Sequence, residues 1–119
     1  MKKNVLIVDD EKALLQILSL VLRKEGYNVD TSETGRAALD MIDRQFYDLA
    51  LMDLRLRDIE GPELLRAFSA RRPNMKRIVL SGLLTSEERK ELNGCADAYL
   101  EKPFKTEELL KVMREKLGP

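Results

Sequence analysis

The stretch "VLIVDD", residues 5–10, decides the fold class. Four apolar residues in succession are typical of a strand that is buried on both faces, and such strands belong to parallel sheets. Two aspartates, Asp9 and Asp10, end the run, so the strand finishes in a polar edge. The rest of the chain must therefore supply neighbouring strands and the helices that cover both faces of a sheet.

Four further segments show strand patterns, and helical patterns separate them. Strands are predicted at residues 27–31, 48–52, 78–80 and 98–100. In the first of these, Tyr27, Val29 and Thr31 alternate as in a half-exposed edge strand. Helices are predicted at residues 11–24, after Thr34, at residues 62–71, after Thr85 with Glu88 completing a capping box, and after Thr106 as the cap of the last helix. Strands that alternate with helices predict an α/β fold with a parallel sheet covered on both faces.

The first helix carries more apolar residues than one core-facing stripe needs. The spacing predicts a core-facing stripe made of Leu14, Ile17, Leu18, Val21 and Leu22. Ala13, Leu15 and Leu20 widen that stripe. We interpret the extra residues as core packing, with a partner surface as the alternative.

Length and composition exclude several function classes. The 119 residues are the size of one domain, so a single domain is predicted over residues 1–119. The 21 basic and 21 acidic residues cancel, which argues against direct nucleic-acid binding, and the basic residues at 70–77 are interpreted as a solvated helix end and loop. The absence of histidine excludes a histidine-based triad or metal ligand, and one cysteine excludes an internal disulfide. No export signal and no membrane segment is recognised, so a cytoplasmic location is expected.

Polar side chains stand at the carboxyl ends of four predicted strands. These residues are Asp9, Asp10, Asp53, Ser81 and Lys102. In an open parallel sheet, the carboxyl ends of the strands meet in one crevice, which is where ligands bind. The sequence therefore predicts a crevice that holds three carboxylates, one hydroxyl and one ammonium group.

That set of groups suits phosphoryl chemistry with a hard metal ion. Three carboxylates repel one another unless a cation lies among them, and oxygen ligands without histidine or thiolate favour Mg²⁺, with Mn²⁺ as the alternative. Lysine and hydroxyl groups pair with phosphoryl oxygens, and a carboxylate can attack phosphorus to form an aspartyl phosphate. Singly, each residue has a simpler explanation: Asp10 as a helix cap, Asp53 and Ser81 as loop residues, Lys102 as a solvated cation. Those explanations leave unexplained why four strand ends carry polar groups at one edge.

Four blocks of the sequence resemble the receiver domain of two-component response regulators. These blocks are "VLIVDDE", "DLALMDLRLRDIEG", "VLSG" and "AYLEKPF", and they follow in order over essentially the whole chain. The resemblance implies a doubly wound, flavodoxin-like (βα)5 fold with strand order 2-1-3-4-5. It also implies that Asp53 is the phosphoacceptor and that Mg²⁺ is held by Asp9, Asp10, Asp53 and the backbone carbonyl of Arg55.

The same resemblance implies roles for the residues that follow the last two strands. Ser81 and Lys102 would bind the phosphoryl group, and the peptide bond between Lys102 and Pro103 would be cis. Tyr99 would be the switch aromatic, whose ring moves inward when Ser81 engages the phosphoryl group.

The implied function is a signalling switch. A sensor histidine kinase or a phosphotransfer protein would phosphorylate Asp53, and the surface of the fourth helix, fifth strand and fifth helix, roughly residues 85–117, would then act on an output domain or protein. Homodimerisation on phosphorylation is a further implication. Phosphorylation and dephosphorylation would be self-catalysed, without other enzymatic activity. The alternatives are a degenerate receiver that only binds proteins and, less favoured, a magnesium-dependent phosphohydrolase, whose second acid would stand where this chain has Arg55.

One position departs from the usual receiver pattern, and a second bears on the lifetime of the phosphoryl group. The family usually has proline four residues after the acceptor, where this chain has Arg57, so the loop at residues 54–61 is expected to be less rigid. Leu83, two residues after Ser81, is apolar where a polar side chain would help to position attacking water. We predict slow autodephosphorylation from these two residues.

Overall fold

Five strands alternate with five helices in the computed structural model, which describes residues 2–82 and 84–118. The strands are β1 (Asn4–Val8), β2 (Asn28–Ser32), β3 (Leu49–Asp53), β4 (Lys76–Ser81) and β5 (Ala98–Glu101). The helices are α1 (Lys12–Lys24), α2 (Gly35–Arg44), α3 (Gly61–Arg71), α4 (Ser86–Glu91) and α5 (Thr106–Leu117). The predicted alternation of strands and helices is confirmed. Leu83, on which part of the phosphoryl-lifetime prediction depends, lies outside the described residues.

The strands form one parallel sheet in the order β2-β1-β3-β4-β5, as predicted. The order reverses at β1, because the chain moves to one side of β1 for β2 and to the other side for β3. The carboxyl ends of β1 and β3 therefore lie side by side at this reversal, which is where open α/β sheets bind ligands.

Strand β2 lies at the edge of the sheet, as predicted, but its buried side chains differ from the prediction. Val29 and Ser32 are buried, whereas Thr31 is exposed and Tyr27 precedes the strand. The Ser32 hydroxyl turns inward because it donates a hydrogen bond of 2.7 Å to the carbonyl of Thr34. A local turn therefore overrides the alternation expected from the sequence.

The two faces of the sheet pack against different helices. Leu6 and Val8 of β1 belong to the apolar core on the side of α2 and α3. Val5 and Ile7 belong to the core on the side of α1 and α5. Successive side chains of a strand point to opposite faces, so a strand between two cores needs the unbroken apolar run seen at residues 5–8.

Helix α1 buries part of the predicted stripe, with Leu18 and Leu22 in the core and Leu14 packed against it. Leu15, Leu18 and Leu22 are buried, whereas the side chain of Ile17 is 56% exposed. These leucines follow one another at intervals of three and four residues, and Ile17 lies off that line. The prediction that Ile17 packs in the core was wrong. Of the residues that widen the stripe, Leu15 packs in the core as interpreted, whereas Ala13 and Leu20 are exposed.

The starts of α4 and α5 were both predicted from capping residues, and only the first prediction is confirmed. The capping box of α4 is confirmed, because the Glu88 N–H donates to the Thr85 hydroxyl and the Thr85 N–H donates to the Glu88 carboxylate. Thr106 is not the cap of α5, because it is already the first helical residue and Lys105 precedes it as the cap. The Glu108 carboxylate accepts the Lys105 N–H at 3.4 Å, which fixes the helix start one residue earlier than predicted.

Arg77 corrects the interpretation of residues 70–77 as solvated. This residue lies in β4 and is buried. Its guanidinium group donates hydrogen bonds to the carbonyls of Arg72, Met75 and Cys95. The cation therefore joins the end of α3 to the loop before β5 instead of facing water.

Within the described part of the chain, no helix is long and apolar enough to cross a membrane.

Candidate phosphoacceptor site

Three of the predicted site residues meet at the carboxyl ends of β1, β3 and β5. Asp9 directly follows β1, Asp53 is the last residue of β3, and Lys102 directly follows β5. The Lys102 Nζ lies 2.8 Å from the Asp9 Oδ2 and 3.1 Å from the Asp53 Oδ2. Residues that are 49 and 93 positions apart in sequence are thus joined by direct hydrogen bonds.

Lys102 is held as a cation between these carboxylates. Its side chain is only 19% exposed, and this burial by itself lowers the pKa of the ammonium group. The hydrogen bonds and charges of Asp9 and Asp53 outweigh burial, so the pKa of Lys102 is raised above its ordinary value. The ammonium group therefore neutralises part of the acidic crevice.

Asp9, Asp10 and Asp53 form a cluster with the dimensions of a metal site. Each of the three offers a carboxylate oxygen, and these oxygens all lie within 4.8 Å of one another. Oxygens on opposite sides of a Mg²⁺ ion are separated by about 4 Å, twice the usual bond length, so the cluster fits a hard cation with little rearrangement. Asp9 and Asp53 are buried and Asp10 is half-buried, which gives a metal access from one side.

Backbone donors fix the orientation of the two buried carboxylates. The N–H of Glu11 donates to the Asp9 Oδ1 at 2.9 Å, and the N–H of Arg55 donates to the Asp53 Oδ1 at 3.0 Å. In each aspartate, the second oxygen accepts a hydrogen bond from Lys102. The two acidic side chains are therefore positioned by the turns that end β1 and β3.

Ser81 ends β4, and Tyr99 lies on β5 three residues before Lys102. Ser81 is buried at the end of β4, and its carbonyl accepts the Lys102 N–H at 2.7 Å, so these two residues are adjacent across the strands. Tyr99 is half-buried, and the guanidinium carbon of Arg89 in α4 lies 5.3 Å from its ring centroid. Burial raises the pKa of the Tyr99 hydroxyl. The Lys102–Pro103 peptide bond is cis.

Residues 5–114 match the family model of the response regulator receiver domain. The chain belongs to this family. It is a receiver domain with an acidic pocket formed by Asp9, Asp10 and Asp53 beside Lys102. Receiver domains are signalling switches of two-component systems, and their partners are histidine kinases.

Individual relatives support the assignment over nearly the whole chain. The cell cycle transcriptional regulator CtrA of Caulobacter vibrioides is 36% identical over 108 residues, which are 90% of this chain and 47% of CtrA. This receiver domain thus spans about half the length of the curated relatives that it matches.

Solved receiver structures have the same fold. A CheY-like receiver domain protein from Methanospirillum hungatei has a TM-score of 0.95 at 39% identity, covering 98% of this chain and 94% of that one. The response regulator TrrA from Thermotoga maritima, in complex with Mg²⁺ and beryllium fluoride, has a TM-score of 0.87 at 33% identity, covering 98% of this chain and 100% of that one.

The loop that follows β3 in this receiver domain is held in place by side-chain contacts that sequence reasoning missed. The Asp58 carboxylate accepts the N–H groups of Gly35 and Arg36 at 3.0 and 2.9 Å, at the start of α2. The Arg36 N–H is the largest cause of the lowered pKa of Asp58. Arg57 lies 3.6 Å from Asp10, although its side chain is 93% exposed. No periodicity or motif in the sequence predicts these contacts, because they depend on the path of the loop.

Proposed function

We propose that Asp53 is the phosphoacceptor of this receiver domain and that the domain unit covers residues 1–119. The donor is the phosphohistidine of a sensor histidine kinase or of a phosphotransfer protein, since this chain has no histidine of its own. The observation that carries the proposal is the Lys102 ammonium group, which lies within 3.1 Å of both Asp9 and Asp53 beside a cluster of metal-compatible carboxylates.

Phosphoryl transfer to Asp53 needs no second nucleophile and no proton donor from this chain. A carboxylate oxygen of Asp53 attacks phosphorus, the phosphorus–nitrogen bond of the donor breaks, and the imidazole leaves with the electron pair and takes a proton from solvent. The backbone N–H of Arg55 and the Lys102 ammonium orient the attacking carboxylate. Catalysis is then positioning and charge neutralisation.

Asp9, Asp10 and Asp53 are the residues that would hold the metal, with the carbonyl of Arg55 as a further ligand. When bound, Mg²⁺ neutralises charge on the transferring phosphoryl oxygens. The direct Lys102–Asp9 contact leaves Asp10, which is the more accessible aspartate, as the side chain best placed for direct coordination.

The switch in this proposal runs from Ser81 and Lys102 to Tyr99. Ser81 and Lys102 bind the phosphoryl group, and the Tyr99 ring moves inward beside them. This biases a two-state equilibrium of the surface formed by α4, β5 and α5, which then engages an output domain or protein. The half-buried position of Tyr99 on β5, with Arg89 of α4 over its ring, supports this role.

Acetyl phosphate with Mg²⁺ tests the proposal without knowledge of the kinase. We expect intact-mass spectrometry to show the gain of one phosphoryl group, which is stable in acid and labile in base. The gain should disappear in Asp53→Asn and when the metal is chelated. A wild-type protein that gains no mass would contradict the proposal and support a receiver that only binds proteins.

A phosphohydrolase is the enzymatic alternative, and the same sample distinguishes it. Such enzymes typically carry a second acid two residues after the nucleophile, where this chain has Arg55, whose side chain pairs with Glu88. We expect no repeated turnover of phosphate esters. Continuous release of inorganic phosphate from several esters would overturn the assignment as a switch.

A further inference from the structure

Glu88 connects the first turn of α4 to the acceptor site. Its carboxylate accepts the Thr85 N–H at 3.2 Å and lies 3.2 Å from the Arg55 guanidinium. Arg55 in turn donates its backbone N–H to the Asp53 carboxylate. A continuous series of contacts therefore runs from the acceptor to the cap of α4.

Helix α4 is held weakly by its own residues. No side chain within Ser86–Glu91 is buried, and the apolar anchors Leu84 and Leu92 lie outside the helix at its two ends. The helix also makes ion pairs from Glu91 to Arg66 of α3 and from Arg89 to Glu101 of β5, and the Arg89 guanidinium lies over the Tyr99 ring. An element with so little buried surface is displaced by small changes in free energy, so each ion pair matters to its position.

We propose that Glu88 and a phosphoryl group on Asp53 compete for the Arg55 guanidinium, so that phosphorylation releases the first turn of α4. This inference rests on the phosphoacceptor role proposed above. A phosphoryl group carries about 1.5 to 2 negative charges and offers three acceptor oxygens, whereas Glu88 offers one charge. Arginine pairs with phosphoryl oxygens in a bidentate manner, and the Arg55 backbone is already in contact with Asp53.

Competition for one cation must be reciprocal. If Glu88 restrains Arg55, a phosphoryl-like anion at Asp53 weakens the contact between Glu88 and Arg55. Removal of the Glu88 charge then strengthens the binding of that anion by the same factor. The Arg55 side chain is largely exposed, so the expected factor is modest, about two- to fivefold.

A double-mutant cycle on beryllium fluoride binding tests the competition. Wild type, Glu88→Gln, Arg55→Gln and the double variant are titrated with beryllium fluoride at saturating Mg²⁺, and affinity is read from backbone amide NMR shifts because the chain has no tryptophan. Glutamine preserves the capping box, so Glu88→Gln removes the charge and keeps the helix cap. We expect Glu88→Gln to bind about two- to fivefold more tightly than wild type, and no such gain in the Arg55→Gln background.

Glu91→Gln is the matched control. It removes the same charge from the same helix, but its partner is Arg66 of α3 rather than the acceptor loop. We expect its affinity to equal that of wild type. Three results would overturn the competition. They are an equal gain in beryllium fluoride affinity in Glu91→Gln, a gain from Glu88→Gln that persists in the Arg55→Gln background, and no gain from Glu88→Gln. If wild type neither binds beryllium fluoride nor gains mass with acetyl phosphate, the phosphoacceptor role itself fails and the competition fails with it.

Hydrogen exchange tests the release of α4 directly. We expect the amides of residues 86–91 to exchange faster in wild type with bound beryllium fluoride than without it. Glu88→Gln should show the faster exchange even without the ligand. Exchange that does not respond to the ligand would contradict the release of α4.

Discussion

Lys102 is the residue on which the electrostatics of the site depend. Asp9 is fully buried and Asp53 nearly so, and both accept hydrogen bonds from the same ammonium group. Without that cation, two carboxylates would face each other in a crevice with little access to water, which is costly. The lysine that follows β5 therefore stabilises the folded protein by neutralising part of this crevice.

Lys102→Met is expected to destabilise the protein by about 1–3 kcal/mol in the absence of divalent metal, because it leaves two buried carboxylates without their cation. Mg²⁺ should restore part of the loss, since a metal among the carboxylates replaces the missing charge. Urea denaturation with and without Mg²⁺ measures both effects. Lys111→Met, on the exposed side of α5, is the control and should change the free energy of unfolding little. Equal stability of Lys102→Met and wild type would contradict this account of the crevice.

The raised pKa of Lys102 predicts a pH dependence of stability. Its pKa in the folded protein lies above the ordinary value of 10.5, so its contribution is fully present below that pH and is lost as the pH rises through the folded value. The difference in free energy of unfolding between wild type and Lys102→Met should therefore be constant at neutral pH and shrink above pH 10.5. A difference that shrinks on acidification through neutral pH instead would show that another group is responsible.

Leu83 and Arg57 are the residues from which a slow loss of the phosphoryl group is predicted. An apolar side chain at position 83 provides no polar atom to position attacking water, so we expect a half-life of minutes or longer after the donor is removed. Leu83→Asn should shorten it. Loss of the mass gain is followed over time, and a half-life of seconds in the wild type would contradict the prediction.

At the scale of elements, the turn after β3 is fixed by close packing at Gly61. A Cβ atom at this position would lie 2.5 Å from the Leu54 carbonyl oxygen and 2.7 Å from the Leu54 Cα. Both atoms belong to the backbone of the residue that follows Asp53, so they cannot move without shifting the turn after β3. The start of α3 is thereby tied to the position of Asp53.

Gly61→Ala is therefore expected to cost about 1–3 kcal/mol of stability and to slow phosphorylation by acetyl phosphate, because the chain at Leu54 must move. Denaturation and the rate of mass gain are the two measurements. Gly82→Ala is the matched control for stability, since a Cβ there meets no atom within 4 Å. If Gly61→Ala is as stable as Gly82→Ala, the close approach to Leu54 does not constrain the turn.

At the scale of the whole molecule, the sequence predicted the architecture from strands that are apolar throughout, because such strands pack against a core on each face of the sheet. The unbroken apolar run of β1 and the polar residues at the ends of β1, β3, β4 and β5 predicted a parallel sheet with a site at one edge. Periodicity failed at two places. Ile17 lies beside the buried stripe of α1, and Ser32 turns inward because its hydroxyl donates a hydrogen bond to Thr34.

Contacts between distant loops could not be predicted at all. Asp58 reaches the start of α2, Arg77 joins the end of α3 to the loop before β5, and Arg55 meets Glu88 of α4. Each of these side chains looks like an ordinary surface charge in the sequence. Their partners are determined by the assembled sheet and by loop paths, which leave no periodic signal.

Chemical identification of the modified residue tests the central claim most directly. After incubation with acetyl phosphate and Mg²⁺, borohydride reduction of the acyl phosphate followed by peptide mass mapping reports which carboxyl group carried the phosphoryl group. We predict that the reduced residue is Asp53 and that Asp53→Asn yields no reduced residue. Reduction at Asp9 or Asp10, or at no position in a wild-type sample that has gained mass, would contradict the account.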